Sequence, residues 1–189
     1  MNIKDIIGVI AVVLTFIGYA PYIRDIFKGT TKPHIFSWFT WILTTGLVYA
    51  LQATSGPGAW VTLSLVILMS FITIVSFKRG YKDIKKIDII FFLLAILALP
   101  LWLIIKQPVL SIILLTAIDV AGFIPTIRKS WNAPHTETLS FYIITAFRHA
   151  LSIFALEQFS IVTALYPIAW VFANALFAVI LIVRRRKIS

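Results

Sequence analysis

Long stretches without any charged side chain limit most strongly how this chain can fold. No Asp, Glu, Lys or Arg occurs in 6–23, 33–77, 89–105 or 158–183. A helix needs roughly 20 apolar residues to cross the hydrocarbon core of a bilayer, with about 17 as the lower end. Each window is long enough for one crossing, and the second is long enough for two. These stretches therefore predict an all-α membrane protein.

Seven spans follow from these windows and from two further stretches that each hold one internal charge. The sequence TSGPG at 54–58 predicts a turn that divides the second window. The internal charges of the other two stretches are Asp119 and Arg148. We interpret the first span as mature protein rather than a signal peptide, because the residues before it are not convincingly basic. The predicted spans are 5–23, 35–53, 59–78, 88–105, 109–127, 138–157 and 160–183.

The composition agrees with a chain that faces lipid. It is 60% hydrophobic and only 13% charged, whereas a soluble domain is about 25% charged. Cysteine is absent, which excludes disulfides and thiolate metal sites, and we expect no metal or cofactor. The net charge of +10 could indicate nucleic acid, but the basic residues lie between apolar stretches rather than on one surface. We therefore expect a lipid bilayer, and no nucleic acid, as the partner.

The positions of Lys and Arg predict the orientation in the membrane. Fourteen of the 17 follow spans one, three, five and seven, so they all lie on one side if the spans alternate. Cytoplasmic loops of membrane proteins carry an excess of Lys and Arg. We predict a multi-pass protein of the cell membrane, with the N-terminus outside and the C-terminus in the cytoplasm.

An internal repeat divides the chain into two similar units. TAIDVAGFIPTIR at 116–128 matches TFIGYAPYIR at 15–24, with 104 residues between equivalent positions. Downstream, KPHIFSW is echoed by APHTETLSF. An odd number of spans between the copies lets both units enter the membrane in the same direction, which gives a parallel repeat. The predicted organisation is a first three-helix repeat at 1–80, a basic cytoplasmic loop and linker helix at 81–107, and a second three-helix repeat at 108–189.

Each copy of the repeat carries a glycine and a proline near its basic end. Pro21 and Pro125 remove a backbone donor and can kink a helix. Gly18 and Gly122, one turn earlier, permit close approach of another helix. We predict that these four residues form a hinge in each unit; the alternative is that they only pack.

Two charges are predicted at the middle of the membrane. Asp119 and Arg148 each lie about ten residues into a span, from opposite sides, so both come near half depth. An isolated charge there costs about 2.5–3.5 kcal/mol, and we expect the two to pair. The pair either fastens two helices or takes part in function. In the second case, Asp119 binds a coupling proton or a substrate amine, and Arg148 maintains that charge state or receives a carboxylate.

Polar and aromatic residues recur at helical spacing in spans one, six and seven, which predicts a shared cavity for a small polar solute. His149 either titrates there near neutral pH or is only a hydrogen-bonded residue of the bundle. The residues that we expect to bind substrate from this pattern are Tyr19, Tyr142, Arg148, His149, Tyr166, Trp170 and Asn174.

Three helices, a linker helix and three more, with a proline motif ending helices one and five, resemble the PQ-loop and SWEET transporter superfamily. PTIRKSW followed by TETLSFY is similar to the SWEET pattern, and PYIRDIFKGTTKPHIFSW resembles a PQ-loop with tyrosine in place of glutamine. The resemblance implies a substrate asparagine at Asn174, whose partner at the repeat offset is Ser70. Neither copy has a Pro-Gln pair, so the substrate class does not carry over.

These observations predict an alternating-access transporter. The SWEET-like loop suggests a sugar, while the charges within the membrane favour an amino acid or a proton-coupled substrate. The alternatives are a non-transporting membrane receptor of the same fold and a lipid-organising protein without a ligand; whether the chain forms homo-oligomers stays open. No motif of an enzyme is present, so we expect no enzymatic activity.

Overall fold

The computed structural model describes residues 3–52, 58–105, 107–156 and 158–188, and within these ranges every regular element is a helix. A short 3-10 turn, Pro134–Thr136, lies before the seventh α-helix. The α-helices are α1 (Ile3–Lys28), α2 (Ile35–Gln52), α3 (Gly58–Arg79), α4 (Lys86–Ile105), α5 (Pro108–Ala121), α6 (Phe123–Asn132), α7 (Leu139–Phe154) and α8 (Ile161–Lys187).

Each predicted span coincides with a helix, and α5 and α6 together correspond to the fifth. The helices continue beyond the predicted ends on the basic side, where α1 reaches Lys28 and α8 reaches Lys187. Basic side chains in a last turn interact favourably with the negative end of the helix dipole, so these residues extend the helices. Of the predicted turn at 54–58, only Gly58 is described, and it begins α3.

The structure is that of a helical membrane protein. Among the residues that the structure describes, three helices are long and apolar enough to cross a bilayer, and two shorter ones are also apolar. Large apolar side chains on the outer surface include Phe16 and Phe172, which are 51% and 70% exposed. A surface of this kind faces lipid more favourably than water. The three long helices are Ile3–Lys28, Pro108–Asn132 and Ile161–Lys187, and the shorter ones are Ile35–Tyr49 and Leu139–Phe154.

Aromatic side chains form most of the core. The first helix, α1, packs against α7 and α3, while α2 contacts α3, α4, α5 and α6. The last helix, α8, contacts α7, α5 and α6, and in the described part of the chain the backbones of α5 and α6 do not come close to that of α7, although the Phe123 ring of α6 reaches Tyr142 of α7. The buried aromatic residues at the centre are Tyr19, Tyr22, Trp38, Trp41, Phe123, Phe141, Tyr142, Trp170 and Phe177.

The two repeated prolines have different effects on their helices. The first helix continues without a break through Pro21. The second copy is interrupted at Gly122, between α5 and α6, three residues before Pro125. Pro125 cannot donate to the carbonyl one turn earlier, at Ala121, which accounts for a break in that turn. The hinge function of the four residues stays a prediction, although a local interruption occurs in the second copy.

Candidate functional site

A small cavity lies at the centre of the bundle, between α1, α2, α3, α7 and α8. Its volume is only about 10 Å³. That is room for about one water. The lining residues are Tyr19, Trp38, Trp41, Leu65, Met69, Phe141, Tyr142, Thr145, Arg148, His149, Tyr166 and Trp170.

Six of the eight residues predicted to bind substrate line this cavity, and Asn174 and Ser70 do not. Asn174 is completely buried, and its Nδ2 donates to the backbone oxygen of Trp170 at 2.8 Å. The Oδ1 of Asn174 has no hydrogen-bond partner. Ser70 is half-buried and donates to the backbone oxygen of Val66 at 2.6 Å. The Asn174 amide and the Ser70 hydroxyl thus each form a hydrogen bond within their own helix.

Asp119 is completely buried, and neutral donors from two other helices hold its carboxylate. Its Oδ1 accepts a hydrogen bond from the Thr44 hydroxyl of α2. Its Oδ2 accepts from the Tyr166 hydroxyl at 2.8 Å and from the Trp170 indole at 2.7 Å, both on α8. Asp119 therefore connects α5 with α2 and α8. The donor Thr44 could not have been chosen from spacing alone, because it depends on how α2 meets α5.

Arg148 is also buried, with 4% of its surface exposed, but the expected ion pair with Asp119 does not form. Instead, its Nη2 lies 2.5 Å from His149 Nε2, and its Nε has no hydrogen-bond partner. The prediction of pairing was wrong because it took spans five and six to be adjacent. In the described structure α8 contacts both α5 and α7, which do not pack against each other.

His149 and Trp170 form a chain of contacts that connects Arg148 with Asp119. A guanidinium only donates, so His149 Nε2 is the acceptor of the Arg148 hydrogen bond and the ring proton is on Nδ1. The His149 ring is stacked on Trp170 with centroids 5.5 Å apart and planes 20° apart. Trp170 in turn donates to Asp119. The hydrogen-bonded role that we considered for His149 is therefore present.

The three tyrosines predicted to bind substrate all line the cavity but differ in their other contacts. Tyr19 contacts Trp38 and Phe141 edge-on, with ring centroids 6.1 Å and 5.0 Å apart. The Tyr142 hydroxyl points away from Arg148 and donates to Glu137 Oε2 at 2.7 Å. Tyr166 is half-buried and is held by its bond to Asp119. Two of the three tyrosine hydroxyls at the cavity thus already have acceptors.

Both repeated glycines lie where another helix comes very close. A Cβ at Gly18 would be 3.1 Å from Ile144 Cγ2 of α7. A Cβ at Gly122 would be 2.8 Å from Trp41 Nε1 of α2. A side chain at either position would force its neighbour to move.

A buried polar cluster at the basic end was missed by the sequence analysis, which took Lys129 to be an orienting loop residue. Lys129 is 1% exposed, and its Nζ donates to the Glu137 carboxylate and to the backbone oxygen of Lys32 at 2.6 Å. Arg185 donates to the backbone oxygen of Glu137. The spacing of Phe123, Thr126 and Lys129, which places them on one helical face, could have indicated this burial. The cluster ties α6 and α8 to the segment before α7.

Among the described residues, no three His, Asp or Glu side chains lie close enough to hold a metal ion. Comparisons with family models, curated proteins and solved structures found no match. The functional interpretation therefore depends on the geometry of this chain.

Proposed function

We propose that the chain is an alternating-access transporter of a small polar solute, related to the PQ-loop and SWEET superfamily and without enzymatic activity. One observation carries the proposal. The central cavity is lined from both proposed units, and beside it two buried, oppositely charged residues do not neutralise each other in an ion pair. Transporters of repeated architecture bind substrate near mid-membrane, between their repeats.

The helix contacts support two parallel units, 1–80 and 108–189, with α4 as the linker. The contacts of α3 with α1 and α2 have counterparts in the contacts of α8 with α5 and α7. Across the two units, the contact of α1 with α7 corresponds to that of α5 and α6 with α2. Such correspondence is expected for units related by an axis along the membrane normal.

The two glycine contacts give this proposal residue-level support. Gly18 lies 104 positions before Gly122, and Trp41 lies 103 positions before Ile144. The glycine in the first helix of each unit is thus in close contact with a residue in the second helix of the other unit. The two contacting residues, Ile144 and Trp41, occupy equivalent places in their units. Two unrelated halves would have no reason to share this reciprocal contact.

The orientation that fits this architecture has the N-terminus outside and the C-terminus in the cytoplasm of a cell-membrane protein. The basic residues at the ends of α1, α3, α6 and α8 then all lie on the cytoplasmic side. In this orientation the cluster of Lys129 and Glu137 closes the cytoplasmic end below the cavity.

Transport requires the cavity to open, because its present space admits about one water. The arrangement fits an occluded state, in which neither side has access. Opening to the cytoplasm would separate Glu137 from Lys129 and move the inner end of α6, below the interruption at Gly122. Opening to the outside would leave the cytoplasmic cluster intact. In this mechanism Asp119 serves as the coupling site and Gly18, Pro21, Gly122 and Pro125 as hinges.

Solute flux in proteoliposomes tests this function. Purified protein is reconstituted, and uptake of labelled sugars, amino acids and small organic acids is compared with that of protein-free liposomes. Uptake of at least one class above the protein-free level is the expected result. A ligand that stabilises the protein but is never taken up would favour a membrane receptor of the same fold instead.

A further inference from the structure

Arg148 is a buried cation for which the described residues supply no counter-ion. Among these residues its guanidinium bonds only to the neutral ring of His149, and its Nε has no partner. The ion pairs found among the described residues lie at the basic end, and none includes Arg148. A charge buried in this way is costly unless an opposite charge pairs with it. Arg148 is also one of the residues that line the cavity.

The carboxylate of Asp119 does not serve as the counter-ion of Arg148. Its two oxygens already accept from Thr44, Tyr166 and Trp170. It does not line the cavity, and its helix does not pack against α7. A ligand ammonium in the cavity would therefore not meet this carboxylate, so the site offers little to the amine of an amino acid.

The rest of the cavity wall is largely apolar. Leu65 and Met69 contribute aliphatic surface, and the stacked pair of His149 and Trp170 contributes flat ring surface. The hydroxyls of Tyr142 and Tyr166 are already bonded to carboxylates. Such walls accommodate an apolar or flat body better than a ring of free hydroxyl groups.

We infer that the cavity binds the carboxylate of a small organic anion, with the Arg148 guanidinium as its partner and the aromatic wall around its apolar part. This inference rests on the proposed transport function and specifies its substrate class. Guanidinium and carboxylate form charge-assisted hydrogen bonds, often two in parallel. An anion would supply the missing counter-ion, whereas a neutral sugar would leave Arg148 unpaired.

Thermal unfolding of the purified full-length chain, in a chloride-free buffer of constant ionic strength, tests the site. The probes are matched pairs: propionate with propionamide, lactate with lactamide, and benzoate with benzamide. We expect at least one carboxylate to raise the unfolding temperature in a saturable manner while its amide does not. Equal shifts from acid and amide, no shift from any acid, or the full shift from chloride alone would each overturn the inference.

Three variants locate the effect. In Arg148→Gln the dissociation constant of the active carboxylate is expected to rise about tenfold or more, the change that loss of a charged hydrogen bond produces. Arg148→Lys keeps the charge but loses the planar fork, so we expect a smaller rise. Arg24→Gln is the control, because the Arg24 side chain is 60% exposed. Undiminished binding of the carboxylate in either Arg148 variant contradicts the assignment of Arg148 as its partner. The test therefore needs only one of the two variants to fold.

Flux measurements separate this inference from the proposed function. If a carboxylate binds through Arg148 but is never transported, the anion site is supported and the transport function is refuted. Flux of a neutral solute, without any response to carboxylates, would leave transport standing and refute the anion site.

Discussion

The indole of Trp41 lies over Gly122 and donates from Nε1 to the backbone oxygen of Asp119 at 3.0 Å. A Cβ at position 122 would come within 2.8 Å of the same nitrogen. The contact therefore fixes α2 against the interruption between α5 and α6, one turn from the buried carboxylate. It also holds Asp119 in register with its donor Thr44 on α2.

Gly122→Ala is expected to destabilise the protein by about 1–3 kcal/mol, the usual range for overpacking. The added methyl group must displace the Trp41 indole or the backbone at Asp119. Thermal unfolding followed by tryptophan fluorescence measures the change. Gly46→Ala is the matched control, because a Cβ there meets nothing within 4 Å, and alanine favours a helix over glycine by up to about 1 kcal/mol. Equal destabilisation of both variants would contradict the close contact.

Asp119→Asn combined with Arg148→Gln should show only weak energetic coupling, below about 2 kcal/mol, in a double-mutant cycle of unfolding, because the two side chains are connected only through Trp170 and His149. Removing one partner of a buried ion pair, by contrast, costs about 3–5 kcal/mol. Coupling above about 2 kcal/mol would mean that the two charges pair after all.

Asp119→Asn is also expected to abolish solute flux while expression at the membrane persists. An amide has one acceptor oxygen in place of two, so it cannot accept all three hydrogen bonds and cannot exchange a proton. Uptake into proteoliposomes at several pH values measures the effect. Asp83→Asn is the control, because the Asp83 side chain is 48% exposed. Unchanged flux with unchanged pH dependence would remove Asp119 from the mechanism.

Acid should destabilise the protein through His34, which lies just before α2. Burial of the ring lowers the pKa of His34 to about 4 from an ordinary value of 6.5, despite the nearby Asp88 carboxylate. Between these values the unfolded chain binds a proton that the folded chain does not, so stability falls as the pH drops from about 6.5 to about 4. His34→Gln should remove this part of the pH dependence.

His135→Gln is the control for that experiment. His135 is the histidine of the second Pro-His pair, as His34 is of the first, but it is exposed. An unfolding temperature that depends on pH equally in wild type and His34→Gln would refute the assignment to His34.

The helices could be predicted from the sequence because charge-free length alone determines which segments cross lipid. Each predicted span coincides with a helix, apart from the interruption at Gly122 within the fifth. Beside that break lies the Trp41 indole, which comes from a different helix. Asp119 and Arg148 are both buried within the bundle, and their position at half depth in the membrane stays a prediction.

Partners across helices could not be predicted in the same way. Asp119 and Arg148 lie on α5 and α7, which do not pack against each other; α8 contacts both helices instead. The ion pair of Lys129 with Glu137 was missed, since a basic residue at a helix end is usually exposed. Both errors concern the order of helices around the bundle, which hydropathy and spacing along one chain do not specify.

Access of a thiol reagent to the cavity tests most directly whether the cavity opens in turn to each side. The chain has no cysteine, so Thr145→Cys, in the cavity wall and 6% exposed in the native residue, gives a single reactive site. Ser76→Cys, buried but outside the cavity wall, is the control. In oriented membranes we expect a membrane-impermeant reagent to modify Thr145→Cys from either side and a bound ligand to slow the reaction. Modification from one side only, or from neither, would contradict alternating access.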